Sequence, residues 1–396
     1  LITLGIRKSV NAVATSFVNY SSSTIVVELE FICLNILDKS NKIYDIMSNP
    51  QAKKMTTVKE QISSLKQSDW DYYADIGNKE LKNPFTSRLS HKNFVKKYFK
   101  RSGKNDVLDF IKYMPNQELN NNRIKHTNSI FFLGVLIYNR TNLQSDFFDN
   151  LNTAEYRRFP FLWFLTCLFH DFGFDIEKDS KAINGIKNLS DLKNKYSINN
   201  CLLKTKPKET NKVLISSIEN YFKYRLNNSK IDHGIFAGLY FYDSLLKIRK
   251  RKILNNETTL FWGKELEEQY AQVATAICVH NIGIPEKKDF KEYKKYNLDK
   301  LITDFKPLKF KDFPLLYILG IVDTIDPIKT YIRFGFRPKE ILESLEMGFN
   351  ENKVIFRNGK NSKLNFKKMI ENADRLKNWL NVKIEHTDSE LYLILR

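Results

Sequence analysis

Chemistry in this chain concentrates on a few residue types. Of its 396 residues only six are histidine, and four of these, His126, His170, His233 and His280, stand at the start or end of apolar runs. Asp171 follows His170 directly, and Asp323 lies inside a fifth apolar run at residues 313–325 (FPLLYILGIVDTI). Imidazole and carboxylate groups are costly to bury unless something satisfies them. For any one of them a hydrogen-bonded core residue is the simpler account. Taken together they suit a different partner, because neutral imidazole and carboxylate are ligands for divalent first-row metals. A metal ion also relieves the desolvation of buried carboxylates by supplying positive charge. His91 and His386 sit in polar, basic or strand-edge contexts and stand apart from this set.

The elements that must position these residues read as helices. In residues 126–140 (HTNSIFFLGVLIYNR), His126, Ile130, Leu133 and Ile137 fall on one helical face. Residues 159–174 (FPFLWFLTCLFHDFGF) form the longest apolar run and end in the His170–Asp171 pair. Asp232 is a good N-cap for the apolar helix that begins at His233, whose C-terminal end is basic. Another helix spans residues 266–279, with Val273, Ala276 and Ile277 directing His280 along the buried face. Leu316, Leu319 and Gly320 do the same for Asp323, between Pro314 in a first turn and Pro327 as a stop. Cys167, one turn before His170, is a second ligand type, although a free cysteine here reads better as core.

Around this centre the chain is less specific. Residues 23–31 alternate as a strand does, and residues 54–117 read as helical and charged. The Lys-rich run at 92–104 is expected to be a solvated helix face. Asn120–Asn122 reads as a turn-like break, and residues 175–212 as a polar insertion of the lid or disordered-loop kind. Toward the C-terminus, residues 353–357 and 382–395 read as strands around an amphipathic helix at 364–380. The expected domains are an N-terminal extension (1–118), a helical metal-binding domain (119–343) and a small α+β appendage (344–396).

Apolar content of 42% marks a globular protein, and no apolar run is long enough for a membrane span. Four scattered cysteines without CxxC pairing point to free thiols in a reducing, cytoplasmic setting. No segment has signal-peptide order, and a start at Leu1 rather than Met leads us to expect residues upstream. A net charge of +19 fits phosphate-bearing partners, nucleic acid among them, but the Lys, Asn, Ile and Phe bias of an AT-rich coding sequence produces the same balance.

The order His126 … His170–Asp171 … His233 … His280 … Asp323 resembles the HD-domain superfamily of metal-dependent phosphohydrolases. RIKHT at 123–127 is similar to the Arg-x-x-His-Ser/Thr segment of its nucleotide-cleaving branch. Asp232, His233 and Gly234 resemble the third-histidine segment, and LGIVDTID at 319–326 the segment with the last ligand. The resemblance covers residues 123–331 in five motif segments. It implies a mainly α fold, an HD-type helical bundle in which His126, His170, Asp171 and Asp323 hold one metal. His233 and His280 would hold a second ion with Asp171, the catalytic carboxylate bridging the two. The ions would be Mn, Fe, Ni, Co, Zn or Mg.

The resemblance also implies hydrolysis of a phosphate ester, a nucleotide or related monoester or diester, by metal-activated water. Arg123 and Lys125 are candidate phosphate clamps beside His126. No GxSxG elbow, Cys–His nucleophile pattern or Walker A loop competes with this reading. Two departures stand out. Phe174 follows His170-Asp171-Phe172-Gly173 where many hydrolytic members have Lys or His, and His280 is single where some subfamilies have two. The competing readings are a single-stranded nuclease, suited to the charge, and a non-catalytic metal- or nucleotide-binding regulatory module, suited to Phe174.

Overall fold

Seven helices carry or support the candidate residues: α1 (Asn121–Arg140), α2 (Arg158–Phe169), α3 (Phe174–Lys178), α4 (His233–Leu254), α5 (Gly263–Val279), α6 (Pro314–Ile325) and α7 (Pro327–Tyr331). The computed structural model describes residues 55–73, 81–100, 104–113, 121–143, 156–200, 202, 212–256, 263–283 and 287–396. The strand expected at 23–31, Cys33 and Cys201 lie outside these residues. Those described belong to one compact unit, Lys54–Arg396, and they are mostly helical, with a small antiparallel five-stranded sheet.

The centre of the helical part is α1 against α2. From Ile130 to Tyr138 every residue of α1 is buried, not only the face that carries His126. The reason is that α2, α6 and the helix His91–Phe99 all pack against it. In α2 every residue from Phe159 to Phe169 is buried, as expected for a helix that is apolar all round. Gly134 lets the two helices approach: a Cβ there would fall 2.3 Å from the Trp163 indole. Trp163 Nε1–H donates to the Phe131 carbonyl at 2.9 Å. The helix His91–Phe99 adds Tyr98 edge-on to Phe164, with centroids 4.4 Å apart, and Phe99 stacked on it at 5.2 Å. Lys92, Lys96 and Lys100 are exposed, so this part of the basic run is a solvated face, but Lys104 at its end is fully buried with its ammonium over the Tyr156 and Phe161 rings.

Several boundaries differ from the sequence reading. Helix α1 begins at Asn121, within the expected break. Helix α2 ends at Phe169, with His170 as its C-cap and Asp171 in the turn that follows. The expected insertion is structured over 175–200. It holds α3 and the helix Leu189–Lys195, and buries Ala182, Ile186, Leu189, Leu192 and Ile198. The buried Asp243 carboxylate of α4 accepts the Asn199 and Asn200 backbone N–H groups at 2.9 and 2.8 Å, fixing the end of that segment.

The sheet runs β1 (Thr56–Thr57), β2 (Leu345–Asn350), β3 (Lys353–Asn358), β5 (Glu390–Leu395), β4 (Val382–His386), antiparallel throughout. The strands expected at 353–357 and within 382–395 are present, and the intervening helix is shorter, Phe366–Asp374. Strands β1 and β2 were not expected: two threonines carry no periodicity, and LEMGFN breaks alternation with Gly348. Trp379 and Leu380 seat this region on α6, close enough that a Cβ at Gly320 would meet the Trp379 ring at 2.7 Å. Among the described residues no helix is long and apolar enough to cross a membrane.

Because Trp163 fills the groove left by Gly134 and satisfies a backbone carbonyl, Trp163→Ala is expected to lower stability by roughly 3–5 kcal/mol. The shift in the urea unfolding midpoint checks it.

Candidate metal centre

Every candidate ligand sits near the end of a helix. His126 lies in the second turn of α1, His170 caps α2, and Asp171 follows in the turn. His233 is the first residue of α4, held by its N-cap Asp232, whose Oδ1 accepts the Ile235 N–H at 2.9 Å. His280 follows the last residue of α5, and Asp323 lies in the last turn of α6. Gly234 admits the His280 ring: a Cβ there would come within 2.8 Å of it.

The structure brings these six residues together as two triads, His126–His170–Asp323 and Asp171–His233–His280. Within each, one ligand atom per residue lies within 4.8 Å of the others. Asp323 Oδ1 is 3.2 Å from His126 Nε2 and 3.5 Å from His170 Nε2. In the second triad, His233 Nε2 is 3.2 Å from His280 Nε2 and 3.4 Å from Asp171 Oδ1. The other Asp171 oxygen, Oδ2, faces the first triad, 3.4 Å from His170 Nε2 and 3.9 Å from His126 Nε2. Asp171 thus offers one oxygen to each triad.

All four imidazoles are turned by their other nitrogen. His126 Nδ1–H donates to Asp326 Oδ2 at 2.8 Å, and His233 Nδ1–H donates to Glu177 Oε2. His170 Nδ1–H donates to the Cys167 carbonyl at 2.9 Å, and His280 Nδ1–H to the Ile277 carbonyl at 2.7 Å. These bonds turn all four Nε2 atoms inward, the orientation of ligating histidines with their outer acceptors. Cys167 therefore takes part through its main chain, while burial pushes its thiol well above the ordinary range and leaves it a protonated core group.

Two groups fit a cation directly. His126 Nε2 and His170 Nε2 are buried facing the Asp323 and Asp171 carboxylate oxygens at 3.2–3.9 Å. Burial pulls His126 down, yet bonds to Asp323 and Asp326 raise it to about 9, so a proton or a metal cation between these atoms satisfies them. The charge balance agrees. Burial opposes ionisation of Asp171, but His170 and His233 hold its carboxyl well below the usual range. Burial likewise opposes ionisation of Asp323, and Lys329, His126 and His170 more than offset it. Burial pulls His233 down, yet bonds to Asp171 and Glu177 raise it to about 10. Burial and the charges on His233 and His170 push His280 down to about 3. A cationic His233 beside a neutral His280 is what two carboxylates demand of this pocket; a metal ion meets the same demand.

Sequence reasoning missed Asp326, Glu177 and Lys329. Asp326 precedes Pro327, which in the sequence marks only a stop, yet its carboxylate caps the next helix by accepting the Ile328 and Lys329 N–H groups. Glu177 lies in the supposed insertion, 56 residues from its histidine, and no local signal marks it. It also pairs with Arg225, so Glu177 and Asp232, the third acidic group near His233, serve to hold that ring and its helix. Lys329 Nζ lies 2.5 Å from Asp323 Oδ1.

The expected phosphate clamps separate. The Arg123 guanidinium is pulled down by burial and held up by the Asp171 and Asp175 carboxylates, so it belongs to this centre. Lys125 acts on the other side, where burial and its charge push His91 down to about 4, and Asn128 Nδ2–H donates to His91 Nδ1 at 2.7 Å. Phe174 is partly exposed, with its ring 5.6 Å from the His233 ring, and the Lys178 ammonium lies 4.4 Å from its centroid. The chain matches no protein-family model, no curated protein and no solved structure.

Glu177→Ala removes the acceptor behind His233 without touching the inner set. Divalent-ion affinity, measured by equilibrium dialysis with Mn2+, is expected to fall about 10–100-fold. Asp326→Ala should cost affinity and stability together, because the same carboxylate caps α7.

Proposed function

We propose that the chain is a metal-dependent phosphohydrolase of the HD type, acting on an anionic phosphate ester with one or two divalent ions. The observation that carries this reading is the pair of His–carboxylate triads sharing Asp171, with four Nε2 atoms oriented inward. His126, His170 and Asp323 would hold one ion, His233 and His280 the other, and Asp171 both. Bound there, divalent ions supply Lewis-acid activation of water and neutralise charge on the phosphoryl group.

The chain's own residues supply the rest. Asp326, Glu177 and two main-chain carbonyls hold the imidazoles in fixed orientation with Nε2 facing the centre. Arg123, coupled to Asp171, provides positive charge for the phosphate. The departure at Phe174 is offset by position, because Lys178 and Lys329 bring ammonium groups to the neighbourhood from α3 and α7. The net charge of +19 favours approach of an anionic substrate.

The purified chain, stripped with chelator and reloaded with Mn2+, is expected to release phosphate or alcohol from mononucleotides or a simple phosphodiester, and Asp171→Ala to release none. Elemental analysis should find metal in the wild type and less in the variant. Cleavage confined to single-stranded oligonucleotides, with steep salt dependence, would make it a nuclease. Metal binding without turnover of any ester would leave a regulatory module. Absence of metal from the reloaded wild type would sink the proposal.

A further inference from the structure

The cation that touches the ligand set comes from outside the five motif segments. Lys329 Nζ is 2.5 Å from Asp323 Oδ1, the oxygen that also lies 3.2 Å from His126 Nε2 and 3.5 Å from His170 Nε2. Its backbone is pinned: the Lys329 N–H donates at 2.9 Å to Asp326, the carboxylate that orients His126. Its side chain is not pinned in the same way, being 48% exposed. The structure therefore fixes where the lysine stem begins, and holds its ammonium through the ion pair with Asp323 on a stem that solvent reaches.

We propose that Lys329 competes with the metal ion for Asp323 and, once displaced, holds the phosphoryl group of the substrate. The inference rests on the metal-dependent reading above. A divalent ion on His126, His170 and Asp323 Oδ1 would put two positive centres on one carboxylate oxygen, and like charges at that range repel strongly. The imidazoles are locked by their Nδ1 bonds, whereas a lysine is a point charge on a flexible four-carbon stem. The ammonium yields. Its exposed side is where a phosphate bound to the ligand set presents non-bridging oxygens, and a charge-assisted bond to one of them replaces the lost pair with Asp323. Arg123, whose guanidinium feels the Asp171 carboxylate, would add a second positive charge for the phosphate.

A lysine present only as a surface ion pair would not show the opposed effects this predicts. Calorimetric titration of Mn2+ into chelator-stripped full-length protein is expected to show Lys329→Met binding the ion about threefold more tightly than wild type. Titration of inorganic phosphate into the Mn2+-saturated proteins is expected to show Lys329→Met about tenfold weaker, and Lys329→Arg close to wild type. Unchanged or weaker Mn2+ binding by Lys329→Met, or unchanged phosphate binding, overturns the role of Lys329 while leaving the metal centre standing. A wild type that binds no Mn2+ overturns both.

Discussion

Everything at this centre depends on how four imidazoles, three buried and one partly so, spend their Nδ1 protons. An imidazole that cannot place that proton on an acceptor cannot keep Nε2 free for the centre, and a buried N–H without a partner is costly. Helix ends supply two of the acceptors without help. His170 and His280 each follow the last turn of a helix, where main-chain carbonyls lack intrahelical partners, and each donates to the carbonyl three residues earlier. His126 and His233 sit near helix starts, where carbonyls are committed to the helix. Those two need carboxylates from elsewhere, and Asp326 and Glu177 provide them. Each triad thus contains one carbonyl-backed and one carboxylate-backed imidazole.

Asp326 links this chemistry to the fold. It is fully buried, and besides His126 it accepts the Ser129 hydroxyl at 2.5 Å and two backbone N–H groups at the start of α7. A buried carboxylate with four donors is well satisfied. The same residue joins α1 to the α6–α7 corner, orients the His126 ring, and sets where the Lys329 stem leaves the backbone. The shape of the centre and the placement of its nearest cation follow from one side chain.

Much of this was legible in the sequence where burial and capping are local matters. The helices around His126, His233, His280 and Asp323 follow from apolar periodicity, the Asp232 cap and Pro314, and the structure brings all six expected ligands together. Less legible was anything that depends on a distant partner. The 175–200 segment looks like a polar loop because its apolar residues are sparse, yet Ala182, Ile186, Leu189, Leu192 and Ile198 find a surface to bury against. Thr56–Thr57 becomes a strand only because Glu346 and Met347 lie opposite. Arg123 and Lys125 are two residues apart, so a helix sends them to different sides.

The sequence by itself determined which residues could ligate and that helix ends would carry them, because caps and periodicity are written within a few residues of each other. Tertiary structure decided which atoms of those residues meet. The Asp171 oxygens divide between two triads because α2 and α5 end, and α4 begins, at one place. Glu177, Asp326 and Lys329 acquire roles because folding closes 56, 200 and six residues of chain onto them. A hydrogen bond's direction is set by where both partners end up, and no spacing along the chain encodes that.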